Sequence, residues 1–111
     1  LLITAYGRNV SPEWVETALR QHPAVLQAVV FGDGQPALSA VLWPTRPGAD
    51  LAAAVAAANA QLPDYAHIHR WTAGRAAFDA GSGLATANGR PQRAAIQALH
   101  AEPLQLEPTP A

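Results

Sequence analysis

The sequence predicts an α+β fold, a small two-layer sandwich in which about three helices pack on a short, mainly antiparallel sheet. Three observations predict it. Residues 25–31 and 37–43 are apolar, β-rich runs separated by Gly32-Asp33-Gly34-Gln35-Pro36, which has the composition and length of a hairpin connection. Ser11-Pro12-Glu13 and Asp50 each open a stretch with helical apolar spacing. The elements then run strand, helix, strand, strand, helix, strand, loop, helix, with no long parallel βαβ series.

Leu1-Leu2-Ile3 reads as a strand already under way, so the natural chain is expected to begin upstream. Tyr6-Gly7-Arg8-Asn9 reads as a turn, because Gly and Asn tolerate positive φ. Ser11 is expected to cap the first helix, Pro12 to sit at its first position and Glu13 to face the positive end of its dipole. Val15, Ala18 and Leu19 share one face, and Pro23 should end the helix near His22. The hairpin follows and is closed by Pro44 and Pro47-Gly48. Asp50 should cap a second helix whose stripe is Leu51, Val55, Ala58 and Leu62. Residues 67–71 suggest a short strand. Residues 73–90 are glycine-rich and lack a period, which predicts a long loop, and long loops in small domains are often functional. Pro91 is expected to open a third helix with Ala95, Ile96 and Leu99 inside. The predicted domain is 1–101, with 102–111, rich in proline, a disordered tail. No internal repeat is evident.

Composition narrows the classes. With 111 residues there is one small domain, of marginal stability without a partner. Half the residues are apolar, but many are Ala, so a deep substrate pocket within this chain is not expected. Net charge is −1, which argues against nucleic acid as a partner. The longest apolar run, 51–58, is too short for a transmembrane segment. Cysteine is absent, which excludes disulfides and thiolate metal sites, and the expected location is cytoplasmic. All seven basic residues are Arg and none is Lys.

Two loops place Arg beside Gly: Tyr6-Gly7-Arg8-Asn9 and Gly83-Leu84-Ala85-Thr86-Ala87-Asn88-Gly89-Arg90. Such loops present guanidinium and backbone N–H donors to phosphate or carboxylate. On local pattern alone, an Arg in a Gly loop is more often a solvated charge. His67 and His69 would share a strand face, yet no third ligand follows the spacing of a metal site, so no metal is expected on this chain. No nucleophile elbow occurs. Glu13 and Glu16 read as a solvated helix face. Trp43 and Trp71, near strand ends, read as core.

Taken together, the loops resemble a known family. Leu2 to Glu16, with Gly7, Asn9, Val10, Pro12, Val15 and Glu16 at matching places, resembles the motif Gly-x-Asn-[Val/Ile]-x-Pro-x-x-[Val/Ile]-Glu. That motif opens the C-terminal subdomain of adenylate-forming (AMP-binding) enzymes, among them acyl-CoA synthetases. Gly83 to Ile96 looks like the family's last motif, in which a loop of the form Leu-Thr-x-x-Gly-Lys-x-x-Arg leads into the final helix. Leu62-Pro63-Asp64-Tyr65 resembles its Leu-Pro-x-Tyr element. The resemblance spans about residues 1–100.

It implies a mobile lid subdomain of a larger ligase. A carboxylate attacks ATP, and a thiol of CoA or of a carrier protein then displaces AMP. The lid turns between the two steps. By this resemblance Arg90, in the position of the family Lys, is the catalytic cation for adenylation. Thr86, Asn88 and Gly89 form its loop, and Gly7, Arg8 and Asn9 form the thiolation loop on the CoA side. ATP and Mg2+ would be bound mainly by the N-terminal catalytic domain, and the fragment alone would be inactive. Arg in place of Lys leaves three alternatives open: coding drift, a branch that uses Arg, or a weakened adenylation step. A non-catalytic binding module that kept the fold remains the rival from another class.

Overall fold

The apolar runs become strands because their side chains alternate between two buried faces. The computed structural model describes residues 1–104. It orders them as β1 (Leu2–Ile3), β2 (Asn9–Val10), α1 (Pro12–Arg20), β3 (Val25–Phe31), β4 (Leu38–Pro44), α2 (Leu51–Gln61), a 3-10 turn (Asp64–Ala66), β5 (Ile68–Ala73) and α3 (Arg93–Leu104). β1 and β2 form a small antiparallel hairpin. The main sheet has the order β3-β4-β5; β3 and β4 are antiparallel, while β4 and β5 are parallel. The α2 crossover makes that parallel pairing possible. The α+β class with three helices therefore holds.

Ala28, Val30, Leu38, Ala40 and Leu42 join Val15 and Leu19 of α1 and Leu51, Ala54, Val55 and Ala58 of α2 in one apolar cluster. Val29, Phe31 and Val41 point the other way and join Phe78, Leu84, Ile96 and Leu104 in a second. The sheet is thus covered on both faces, by α1 and α2 on one and by α3 and the 74–92 loop on the other. Each fully buried Val or Leu contributes about 1.5–3 kcal/mol.

The sheet edges are closed by side chains rather than by further strands. Glu16 of α1 is buried, and its carboxylate accepts from the Val30 N–H at 2.8 Å. Arg93 of α3 donates to both Glu16 oxygens, at 2.8 and 3.0 Å, and to the Val30 carbonyl at 3.3 Å. Asn59 of α2 does the same for β5: its amide donates to the Ile68 carbonyl at 3.0 Å and accepts from the Ile68 N–H at 2.8 Å. Gln27 repeats the pattern on the loop, donating to Phe78 O at 2.9 Å and accepting from Phe78 N–H at 3.1 Å. Unmet backbone groups at these places would each cost about 1–3 kcal/mol.

Several expectations are corrected. Ser11 does not cap α1 with its side chain; its hydroxyl donates to Glu13 at 3.2 Å. The backbone N–H of Glu13 itself and then that hydroxyl hold the Glu13 carboxyl below its ordinary range. Asp50 does cap α2, accepting from Ala53 N–H at 3.0 Å. Glu16 is a buried ion-pair member, not part of a solvated face. Helix α3 starts at Arg93, since Pro91 instead bridges to Ala85. Its inner face is Ile96, His100 and Leu104, with Ala95 and Leu99 exposed. His100 is fully buried because both ring nitrogens are bonded: Arg75 N–H donates to Nε2 at 3.0 Å, and Nδ1 lies 2.6 Å from Ile96 O. Hydrophobic patterning alone cannot count such a histidine as core.

Trp43 packs against the second cluster, but Trp71 is 36% exposed on the edge strand β5. The start of the expected tail, Glu102 to Leu104, belongs to α3, and Leu104 is buried; 105–111 lie outside the described residues.

Replacing Asn59 with Ala should cost about 1–3 kcal/mol, because both Ile68 backbone groups lose their partner. Gln61→Ala, exposed on the same helix, should stay within about 0.5 kcal/mol. Urea unfolding of the two variants checks this.

Candidate functional site

The two arginine loops turn out to be one local structure used twice. Thr4-Ala5-Tyr6-Gly7-Arg8 and Thr86-Ala87-Asn88-Gly89-Arg90 differ only at the third residue. In the first, Thr4 N–H donates to Arg8 O (3.0 Å), Gly7 N–H to Thr4 O (2.9 Å) and Arg8 N–H to Thr4 Oγ1 (3.2 Å). In the second, the matching bonds are Thr86 to Arg90 O (2.8 Å), Gly89 to Thr86 O (2.9 Å) and Arg90 to Thr86 Oγ1 (3.1 Å). Gly7 has φ +78° and Gly89 has φ +83°. This is the three-residue hairpin loop, a tight turn followed by a left-handed Gly that makes a bulge. The Thr hydroxyl occupies the N–H of the residue after the bulge. Five residues are too few for periodicity to reveal, which is why the sequence shows no repeat at domain scale.

The turns are fastened to different parts of the fold. The first is held by the β3–β4 connection: Ala5 N–H donates to Gln35 O (2.9 Å), Gly34 N–H to Ile3 O (2.8 Å), and Ile3 N–H to Asp33 Oδ1 (3.0 Å). The second projects from Leu84, which is packed in the second cluster, through the Ala85–Pro91 bridge and a Gln92 N–H bond to Leu84 O (2.8 Å).

Their arginines meet different surroundings. The Arg8 guanidinium lies 4.3 Å from the centre of the Tyr65 ring, a cation–π contact. Tyr65 sits on the 3-10 turn, and its ring is 6.5 Å from that of Trp14. Tyr6, Arg8, Asp64, Tyr65, His67 and His69 line an open groove of about 570 Å³. His67 is tied within it, its Nε2 2.8 Å from Leu62 O. Asn9 is exposed in β2, opposite Ile3. Asn88, Gly89 and Arg90 are all exposed, and the Arg90 side chain has no partner among the described residues. No residue of 86–90 lines the Arg8 groove. Of the seven residues singled out from the sequence, only Arg8 lines this groove, and 7–9 and 86–90 belong to two separate turns.

Chemically, each turn offers a planar cation with five N–H donors suited to phosphate or carboxylate. Arg8 is partly engaged by an aromatic face, and Arg90 is free to reach outward. Two contributors were not singled out as site residues. Tyr65 holds Arg8, and the signal for it was the Leu-Pro-x-Tyr element. Arg93, three residues after Arg90, is anchored by Glu16; that carboxylate holds the Arg93 guanidinium above its ordinary pKa. Only the three-dimensional fold joins those two positions.

The chain is similar in sequence and fold to known proteins. A family model described as AMP-binding enzyme C-terminal domain matches residues 1–105. A long-chain-fatty-acid–CoA ligase, FadD15, of Mycobacterium tuberculosis is 45% identical over 42 residues, which are 38% of this chain and 7% of that protein. Among solved structures, an acyl-CoA synthetase of Brucella canis superposes with TM-score 0.70 at 27% identity, covering 92% of this chain and 19% of that one. The adenylation–carrier (A-PCP) didomain of a carboxylic acid reductase from Segniliparus rugosus, solved with AMP, gives TM-score 0.77 at 22% identity over 94% of this chain and 16% of that one. An amide bond synthetase, McbA, from Marinactinospora thermotolerans gives 0.69 at 23%, over 88% and 19%. The chain thus spans less than a fifth of each of these relatives.

An added Cβ at Gly7 or Gly89 would meet no atom within 4 Å. The conformational cost alone remains, so Gly7→Ala and Gly89→Ala should each lose about 1–2 kcal/mol. The two losses should be alike, and Asn at either place should recover part of the loss. Urea midpoints of the four variants test the equivalence of the turns.

Proposed function

The chain belongs to the AMP-binding enzyme C-terminal domain family, and from that premise we propose that it is the mobile lid of a cytoplasmic AMP-forming acyl-CoA synthetase acting on a fatty or other carboxylic acid. The carrying observation is Arg90: an exposed guanidinium without a partner among the described residues, on a hydrogen-bonded turn; by the motif resemblance it stands where the family has lysine. In the first half-reaction a carboxylate oxygen attacks the α-phosphorus of ATP, and the bond to pyrophosphate breaks. Arg90 supports the charge on the carboxylate and α-phosphate as they meet, a task for a cation pre-placed in a closed site. In the second, a thiol sulfur bonds to the acyl carbon and AMP leaves. Gly7, Arg8 and Asn9 line the thiol's approach, with Tyr65 keeping the Arg8 side chain against the domain. Rotation of the lid presents one turn and then the other.

Mg2+ would accompany ATP and offset phosphate charge. In this reading its ligands belong mainly to the N-terminal domain. A carrier-protein thiol is the second reading for the acceptor, favoured by the likeness to an adenylation domain joined to its carrier.

ATP–pyrophosphate exchange by the full-length protein over a panel of carboxylic acids tests the proposal, with thioester yield compared for CoA and for a carrier protein. Arg90→Ala should lower exchange by on the order of a hundredfold. Thioester formation from a supplied acyl-adenylate should hardly change. Arg90→Lys separates a site built around guanidinium, where exchange falls, from a weakened lysine site, where it rises. Exchange that ignores both substitutions favours a binding module. Residues 1–111 alone should form no acyl-adenylate.

A further inference from the structure

The contact that joins the two motifs involves neither turn arginine. Glu16 closes the first motif and Arg93 stands at the closing Arg of the second, 77 residues away. Arg93 is the first residue of α3, separated from Arg90 by Pro91 and Gln92 only. The tip of the 86–90 turn has little else to hold it: the space beside Gly89 is open, and the stem is tied by the Ala85–Pro91 bridge and the Gln92–Leu84 bond. The next side-chain anchor along the chain is Arg93, whose guanidinium makes three bonds that reach α1 and β3 together.

We propose that Glu16 and Arg93 are a positioning pair, setting the orientation of the turn that carries Arg90 relative to the turn that carries Arg8. The proposal builds on Arg90 as the adenylation cation. The geometry is two-pronged: Nη1 and Nη2 each take one Glu16 oxygen, and Nη1 also takes the Val30 carbonyl. A planar fork fixes rotation as well as distance, which one ammonium cannot do. Glu16 cannot swing to follow a displaced α3, because its Oε2 also accepts from the Val30 N–H. The start of α3, and with it the base of the Arg90 turn, is therefore locked to the helix that begins just after the Gly7–Asn9 loop. Arg93 is partly open to solvent, its side chain 40% exposed beside a cavity of about 180 Å³ that Leu2, Pro12 and Asp33 also line. Its replacement therefore removes no apolar side chain from either buried cluster, and what it takes away is the partner of the Glu16 carboxylate.

The test uses Arg93→Lys and Arg93→Met in the full-length protein, with melting, amide hydrogen exchange and the two half-reactions measured for each. Arg93→Lys should fold, with the β3 and β4 amides still protected. The Gly89 and Arg90 amides should exchange about tenfold faster, and kcat of pyrophosphate exchange should fall on the order of tenfold to a hundredfold, the penalty of a misplaced group. KM for ATP should stay within about twofold, since a positioning loss falls on the transition state. Arg93→Met should act in the same direction and more strongly; if it does not fold, Arg93→Lys alone decides. Unchanged exchange at Gly89 and Arg90 in Arg93→Lys overturns the proposal, whatever the activity. Faster exchange at those amides with undiminished adenylation upholds the positioning role and removes Arg90 as the cation. Arg90→Ala, run alongside, tells that failure apart.

Discussion

The structure depends on one carboxylate. Glu16 is nearly buried, in a small domain where an unpaired charge would be untenable. It is stable there because Arg93 meets both its oxygens and because Val30 gives it an N–H. The same arrangement settles three other matters. Val30 sits on an edge strand, and its N–H and carbonyl are completed by side chains in place of a further strand. Helix α1 is pinned to that edge at one height. Helix α3, which covers the opposite face of the sheet, is pinned at its first residue. One ion pair thereby links the two helical layers around the sheet edge.

Side-chain amides extend the same solution. Asn59 and Gln27 each offer a donor and an acceptor on one planar group, spaced like a peptide, and each engages both backbone groups of one partner residue. A three-stranded sheet leaves two edges, and a domain of this size has few elements with which to cover them. Polar side chains from the neighbouring helix or strand close them locally. Gln27 also holds the long 74–92 segment against the second apolar cluster at Phe78.

The twin turns show how one backbone solution comes to serve two ends. Thr closes the bulge and Gly supplies the left-handed step in both, so Arg8 and Arg90 leave the backbone in equivalent ways. Their difference arises in the surroundings. Tyr65, delivered by the 3-10 turn after α2, meets the guanidinium of Arg8 and lays it along a groove. Nothing among the described residues meets that of Arg90. In the proposed ligase, a restrained cation suits a surface along which a thiol passes, and an unrestrained one suits a loop that must reach into another domain.

Local chemistry was legible in the sequence where it is local in the fold. The hairpin at Gly32–Pro36, the Asp50 cap, the stripe of Leu51, Val55, Ala58 and Leu62, and the two Gly–Arg turns depend on residues within a few positions of one another. The family motifs likewise lie in short segments, so residues 1–100 could be assigned before any contact was known. Tertiary structure alone decided the rest. His100 became core because Arg75 and Ile96 satisfy its ring, and that rotated the buried face of α3 away from Ala95 and Leu99. Glu16 left the solvated face that its spacing from Glu13 suggested because Arg93, 77 residues on, arrives beside it. Burial of a polar group depends on whether a partner reaches it, and for Glu16 and His100 the deciding partner is brought by packing between elements, which no window along the chain contains.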